Sequence, residues 1–435
     1  KLIGRVMKNF IASLILFLTC VIQNISLSQG VTEIPLLNYP VSALLNGMGA
    51  TGTSFPTDDP FGFLYNPAQL GHTSQENNLS FIIYSPSVES SPVALVPVNR
   101  SGFALNLGYN FKNLLDFPLT IGFGFARLEM SFGDFFILPG IGIFSNDYYL
   151  AYSLGAGIDY GVQINAGITY KSVTSILTSN GPFEVGEVRG SAKAEGNAFD
   201  YGLLINVPVI RLIDDNLTLK FFKNVPSIPF FNFSIGYAQL NIGDEVIYIL
   251  KIGDEVIYPN EAQADPIPRT ARLGYGLSTG IDLKFQSITL RVLSIDFTVD
   301  AEDLLVLRMR DTNGASVIEY QSFLGDIDIG KNIIQMKGDE NVISRSGFKL
   351  DLVETLTITW GKYSGRRFDN RKTNGIVIRA KGLLKLLDKF TSDPTMSYIA
   401  KHFDIRYYNS NYNVDHRAET NFEGIALVVN GYQFW

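Results

Sequence analysis

The chain has 435 residues and a net charge of −7, which argues against a nucleic-acid partner, because such a partner favours a basic protein face. Only 18% of its residues are charged and 46% are hydrophobic. A soluble protein usually carries about 25% charged residues, so this composition indicates a surface that largely does not face water. No long apolar segment follows residue 28, which excludes a helical membrane protein.

The first predicted element is a cleavable secretory signal peptide over residues 1–28. Three basic residues precede an apolar run, Phe10–Ile22, and small residues follow at Ser26 and Ser28. The run is too short for a permanent membrane helix, which needs about 20 residues. A lipoprotein signal ending at Cys20 is the alternative. Cys20 is the only cysteine, so we expect a mature protein without disulfides.

Residues 77–435 are predicted to form a transmembrane antiparallel β-barrel of roughly 14 strands, an all-β fold. In 273–285 apolar residues such as Leu277 alternate with small or polar ones such as Gly276, as lipid-facing and lumen-facing positions of a strand must. A small inward face requires water, a plug or another chain to fill the lumen. The alternative fold is a large soluble β-sandwich, but several segments are longer than its usual strands of about five or six residues. The predicted strands lie at or near 78–84, 102–111, 119–127, 148–158, 160–171, 199–207, 230–240, 273–285, 287–299, 347–360, 374–381, 402–409 and 424–434.

The connections are uneven in length and composition. Segments 172–197 and 300–346 are rich in glycine and polar residues and are predicted to be long extracellular loops. Ile242–Tyr248 recurs as Ile252–Tyr258, a tandem copy that would extend a hairpin. A single short helix is predicted at 382–390, where leucines share one face, and we expect it to pack at a barrel end.

The sequence contains no recognisable catalytic or cofactor site. His72, His402 and His416 lack metal-ligand spacing, so we predict no metal and no cofactor. No nucleophile elbow is present, and we expect no enzyme activity. The carboxylate pairs Asp58-Asp59 and Asp214-Asp215 lie in turn-like sequence, which favours solvated charge.

The segment after the signal contains a glycine-rich motif, Gly47, Gly49 and Gly52, and the element Asn66-Pro67-Ala68. With these motifs the segment resembles the N-terminal part of the FadL-like superfamily of outer-membrane proteins, which includes the PorV and PorQ types of the type IX secretion system. It implies that residues 29–76 form a plug inside the lumen. A G-x-G-x-x-G motif can also bind phosphate, but no βαβ unit surrounds this one. Glycines would instead let the plug pass close to the wall.

Two further segments carry resemblances. Pro266–Arg269 and Arg272–Gly274 are similar to a mid-barrel strand start of PorV-type members. Tyr432, Phe434 and Trp435 end an apolar strand and resemble the C-terminal signal read by the barrel-assembly machinery.

These resemblances imply a protein exported to the bacterial outer membrane, with membrane lipid and the barrel-assembly machinery as partners. The first functional hypothesis is a PorV/PorQ-type protein that binds secretion-system subunits or cargo proteins. The alternative is a FadL-type transporter for long-chain fatty acids or other hydrophobic molecules. A third possibility is a general porin with a water-filled pore, which a plug would oppose.

Overall fold

The computed structural model describes residues 34–90, 97–138, 141–179, 190–214, 217–222, 225–252, 255–257, 264–285, 288–310, 316–366, 368–391, 393–414 and 419–432. The predicted signal peptide lies outside the described residues, as do Phe434 and Trp435. No helix among the described residues is long and apolar enough to cross a membrane.

The described residues form an antiparallel barrel closed by pairing of the first strand with the last, which confirms the predicted fold class. The strands are β1 (Asn78–Ser90), β2 (Pro97–Asn110), β3 (Leu119–Leu138), β4 (Ile141–Asp159), β5 (Gln163–Ser179), β6 (Gly190–Pro208), β7 (Leu219–Phe222), β8 (Val225–Gly243), β9 (Ile249–Ile252), β10 (Glu255–Ile257), β11 (Thr270–Phe285), β12 (Ile288–Leu304), β13 (Val306–Arg310), β14 (Ser316–Tyr320), β15 (Val342–Leu352), β16 (Leu356–Gly365), β17 (Phe368–Arg379), β18 (Phe403–Val414) and β19 (Thr420–Asn430). Among the described strands, 14 close the barrel: β1–β6, β8, β11, β12 and β15–β19. We call the barrel end with the start of β1 and the end of β19 the terminal end, and the opposite end the distal end.

Strict alternation along the strands separates an apolar outer face from the lumen. On β1, Leu79, Phe81 and Ile83 are 39–49% exposed, whereas Ser80 and Ile82 are at most 1% exposed. Exposed apolar side chains recur on β2–β6 and β15–β19 and together form an apolar belt around the outside of the barrel. Water-soluble proteins rarely expose a continuous apolar surface of this extent, whereas membrane barrels present one to the lipid hydrocarbon.

Residues 34–76 lie inside the barrel, and we call them the plug. The plug contains two short α-helices, α1 (Ala43–Gly47) and α2 (Gln69–Thr73), and 3₁₀ turns. Helix α1 packs against β16–β19 and α2 against β3–β5, so the plug bridges opposite arcs of the wall. Its side chains form a large part of the hydrophobic core; Leu45, Phe61 and Phe63, for example, are fully buried.

One predicted strand is in fact a hairpin. Segment 347–360 is divided between β15 and β16 by a turn at 353–355, where Val353 and Glu354 have φ values of 55° and 49°. Residues with side chains rarely adopt positive φ, and no glycine or proline marks the turn. The turn persists because Glu354 is held by Lys385 from a later helix.

The predicted distal loops contain more strand than expected. Residues 172–179 and 190–197 continue β5 and β6 as paired strands rather than as an irregular loop. Within 300–346, β12 continues to Leu304 and a separate hairpin, β13–β14, follows. The second copy of the tandem repeat contains β10, which pairs with β9, a strand that lies mainly between the two copies.

The terminal end carries four further helices: α3 (Lys112–Leu115), α4 (Val209–Ile213), α5 (Lys381–Thr391) and α6 (Pro394–His402). Helix α5 confirms the predicted helix at 382–390. Helix α6 was missed, although Asp393 caps it and Pro394 occupies its first turn, which are typical start signals.

Candidate functional site

The junction between the plug and the inner wall is the candidate functional site, because the plug occupies the lumen and contacts the wall on several sides. Glycines on the wall make room for plug backbone. A Cβ on Gly236 of β8 would clash with the Thr53 carbonyl oxygen and lie 2.6 Å from Ser54 Cα. A Cβ on Gly202 of β6 would clash with the Asn66 side chain. The wall is therefore shaped to the plug at these positions.

The glycines of the plug motif also lie at close approaches. Gly49 has a φ of +77°, and its N–H donates to Thr373 Oγ1 at 2.8 Å. Thr373 Oγ1 in turn donates to the Gly47 carbonyl at 3.0 Å. A Cβ on Gly52 would lie 2.7 Å from Leu45 Cδ1 within the plug itself. Gly47 and Gly49 thus contact β17, whereas the space around Gly52 is limited partly by other plug residues.

Asn66, Pro67 and Ala68 form a second anchor, against β5 and β6. Asn66 Nδ2 donates to the carbonyl of Thr53 at 2.7 Å and to that of Leu203 on β6 at 3.0 Å. Asn66 Oδ1 accepts from the Ala68 N–H at 3.0 Å. Pro67 lies against the wall at Gly167, and Ala68 is fully buried. This one amide side chain therefore joins two plug segments to the wall.

A third anchor comes from the wall, and sequence analysis did not identify it. Asp300 of β12 accepts three hydrogen bonds from the plug: from the N–H groups of Gly52 and Thr53 at 2.8 and 2.9 Å, and from Ser54 Oγ at 2.9 Å. Asp300 is only 1% exposed. Charge-assisted hydrogen bonds of this kind are roughly twice as strong as neutral ones.

The two adjacent carboxylates of the plug behave differently from the solvated pair that we expected. Arg406 of β18 donates to both carboxylate oxygens of Asp58, with one N···O distance of 2.8 Å. Burial raises the pKa of Asp58, but the Arg406 charge outweighs it and holds that pKa well below its usual value. Asp59 is 1% exposed and accepts from the Phe61 N–H at 2.9 Å. Burial raises the pKa of Asp59 from 3.8 to about 6.

Asp59 should make the stability of the plugged barrel depend on pH. Its folded pKa lies above the unfolded value, so its stabilising contribution is complete below pH 3.8 and is lost as pH rises through about 6. We expect Asp59→Asn to stabilise the plugged barrel at pH 7.5 by about 1–3 kcal/mol, because the neutral amide keeps an acceptor for Phe61 and avoids a buried charge. Urea unfolding midpoints from pH 4 to 8 measure this. The difference in unfolding midpoint between the variant and the parent protein should disappear toward pH 4. A difference that stays constant from pH 4 to 8 would contradict the prediction.

The lumen contains open space in its terminal half. Two adjoining cavities of about 430 and 460 Å³ share Phe55, Pro56 and His72 at the underside of the plug, and both are lined mainly by polar and charged side chains. We call them together the vestibule. Arg291, Lys349 and Asp296 line its wall, so the vestibule suits water.

An apolar crevice lies at the distal end, between plug and wall. Leu36, Tyr39 and Val41 of the plug face Leu128 and Phe422 of the wall. The Arg100 guanidinium carbon stacks 4.2 Å from the centroid of the Tyr39 ring and 4.9 Å from that of Phe422. The enclosed space is only about 20 Å³, room for roughly one water molecule. A larger occupant would have to separate the plug from the wall.

The remaining predicted site residues lie at the chain's end. The Tyr432 hydroxyl donates to the Gly108 carbonyl at 2.7 Å, which fixes the C-terminal segment to β2 at the terminal end. Among the described residues no group of three or more histidine, cysteine, aspartate or glutamate side chains is placed to hold a metal ion.

No protein-family model and no curated protein matches the chain. Solved barrels are similar at low identity. A Pseudomonas aeruginosa FadL homologue is 11% identical, with a TM-score of 0.42, over 94% of this chain and 100% of that one. The CymD monoaromatic hydrocarbon channel is 9% identical, with a TM-score of 0.38, over 92% of this chain and 97% of that one. The P. putida toluene transporter TodX is 11% identical, with a TM-score of 0.38, over 91% of this chain and 99% of that one. Similarities of this size assign neither a family nor a substrate, and they do not support the PorV/PorQ resemblance.

Proposed function

We propose that the chain is a bacterial outer-membrane barrel that takes up a small hydrophobic molecule, the FadL-type function. The apolar crevice between plug and wall is the observation that carries this proposal. It lies at the distal end, and the vestibule lies on the opposite side of the plug, so plug movement would join the two. An apolar crevice on one side of the plug and a polar vestibule on the other favour the passage of a hydrophobic solute that is released into an aqueous compartment.

The apolar belt supports the membrane location. In hydrocarbon every backbone polar group must be paired internally, and a closed barrel satisfies this condition with strands. On β3 the outer face changes from Phe123, which is 42% exposed, to the ion pair Arg127–Glu129, as expected where a strand leaves the bilayer. The two longest connections between barrel strands, 243–270 and 304–342, lie at the distal end, so the distal end would face the cell exterior and the terminal end the periplasm.

A binding measurement tests the crevice. We expect purified barrel to bind a fluorescent 16-carbon fatty acid saturably, and Tyr39→Ala combined with Phe422→Ala to weaken binding by about tenfold or more, because large apolar contacts contribute about 1.5–3 kcal/mol each. Phe81→Ala is the matched control, since Phe81 faces the proposed lipid phase at 39% exposure. Saturable binding that survives the crevice variant would move the ligand site elsewhere, and no saturable binding would overturn the transport proposal.

One observation favours partner binding as a second function. Strands β3–β6 have 17–20 residues, whereas a membrane-spanning strand needs about 9–11. They project beyond the belt and carry outward charges, such as the Lys193–Glu195 pair. Such a sheet offers a surface to secretion-system subunits or cargo. A stoichiometric protein recovered with the native barrel, together with failed fatty-acid binding, would favour this PorV/PorQ-type function.

A further inference from the structure

Helix α5 runs along the terminal rim of the barrel rather than across its opening. It leaves β17 at Lys381, and Lys385 Nζ donates to the Thr289 carbonyl of β12 at 2.7 Å. One turn later, Lys389 Nζ lies 4.3 Å from the centroid of the Phe285 ring at the end of β11. The helix therefore passes along the neighbouring wall strands from β17 through β16, β15 and β12 to β11, and it is fixed at both ends.

The amphipathic pattern of α5 is inverted relative to a helix on a soluble protein. The buried positions include Gly382 and Asp388, whereas Leu383, Leu387 and Phe390 are 53%, 50% and 81% exposed. These three residues follow i, i+4 and i+7 spacing, so they form one apolar stripe that points away from the barrel. An exposed apolar stripe of this kind marks a site of contact with a membrane or with another protein.

A cleft of about 880 Å³ lies between the α5–α6 pair and the wall. On β12, Ile288 and Leu290 line this cleft, whereas the intervening Thr289 lines the vestibule. Neighbouring strand residues point to opposite faces, so the cleft lies on the outside of the barrel. Three lysines, Lys284, Lys385 and Lys389, line the cleft against two carboxylates, Asp388 and Asp393, so the cleft combines a net positive charge with an apolar floor.

The position of the cleft indicates what fills it. The apolar belt reaches Ile378, 53% exposed, three residues before α5 begins, and resumes at Ile405, 56% exposed, three residues after α6 ends. The stripe and the cleft are therefore continuous with the lipid-facing wall, at the depth where headgroups of the periplasmic leaflet would lie. Lysines that bury their stems while holding the ammonium group at this level are typical of a membrane interface.

We propose that the cleft under α5 and α6 binds an anionic phospholipid of the periplasmic leaflet, with its phosphate near Lys284 and Lys389 and its acyl chains along Phe285 and Leu290. Lys385 is already paired with Glu354, so it orients the helix rather than the lipid. Asp393 likewise caps α6 by accepting from the Thr395 N–H at 3.1 Å. The inference rests on the membrane location in the proposed function but not on transport.

Native mass spectrometry of the full chain in detergent micelles tests the site, with phosphatidylglycerol and phosphatidylcholine of identical acyl chains as probes. We expect one phosphatidylglycerol to bind more tightly than phosphatidylcholine and Lys389→Glu to weaken that binding by about tenfold, since each lysine near an anionic surface contributes about 1 kcal/mol and reversal adds repulsion. Lys112→Glu on α3 is the matched control at the same end of the barrel. Heat-modifiable gel mobility checks that each variant is folded.

Equal affinity for the two lipids, or an equal loss in Lys112→Glu, would overturn the site. Displacement of the lipid by a co-purified protein would also overturn it, in favour of a protein partner on the stripe. Fatty-acid binding by Lys389→Glu separates the proposals: the transport proposal can fail while the lipid result stands. Failure of the barrel to insert into phosphatidylglycerol vesicles would instead remove the membrane location on which both depend.

Discussion

Replacing Asp300 with alanine is expected to weaken the attachment of the plug to the wall by about 3–9 kcal/mol. The carboxylate accepts from Gly52, Thr53 and Ser54, and each buried donor left without an acceptor costs about 1–3 kcal/mol. Hydrogen–deuterium exchange followed by mass spectrometry measures the effect directly, because the amides of Gly52 and Thr53 would lose their acceptor. Exchange of the plug segment around them should accelerate, while exchange of barrel strands such as β4 should not change.

Asp300→Asn is the matched control for that measurement. The amide keeps one oxygen acceptor of nearly the same shape, so it can still bind the N–H groups of Gly52 and Thr53 and loses mainly the charge-assisted part of the interaction. We expect an intermediate exchange rate. If the alanine variant exchanges no faster than the parent protein, another contact holds the plug, and the hydrogen bonds of Asn66 and Thr373 would be the next to remove.

The barrel could be predicted because one physical constraint acts on every strand. Leu79 and Phe123 face outward, whereas the next residues, Ser80 and Gly124, face inward. This alternation with a period of two can be recognised from a short stretch of sequence. Strand ends were less predictable. The turn at Val353 and Glu354 has no turn-forming residue, and its support comes from Lys385, about 30 positions later.

The anchors of the plug could not be predicted, because each joins residues distant in sequence. Gly52 and Asp300 are 248 positions apart, and Asp58 and Arg406 are 348 apart. A sequence shows the glycine motif and Asn66 as local patterns, but it does not show which wall residues face them. The carboxylate pair illustrates the consequence. The sequence predicts that Asp58 and Asp59 are both solvated, yet Asp58 pairs with Arg406 and Asp59 is buried.

The last expected result concerns the wall glycines. Gly236→Ala combined with Gly202→Ala should displace the plug and open a water-filled pore, because the two added methyl groups would occupy the positions of the Thr53 carbonyl and the Asn66 side chain. Overpacking of this kind costs about 1–3 kcal/mol per site, and here one obstacle is backbone that cannot rotate away. Single-channel recording in a planar bilayer should show stable open currents in the double variant and closed or brief events in the parent protein.

Gly424→Ala provides the matched control, since Gly424 also belongs to a wall strand but the nearest heavy atom to its added Cβ would be the Ile83 carbonyl oxygen at 3.1 Å, not a plug atom. Its current should resemble that of the parent protein. Open currents in the unaltered protein would mean that the plug leaves the lumen on its own and would restore the general porin hypothesis. Silent currents in the double variant, with folding verified by gel mobility, would mean that the plug adjusts within the lumen without leaving it, because a displaced plug leaves the wall's polar inner face in contact with a continuous column of water.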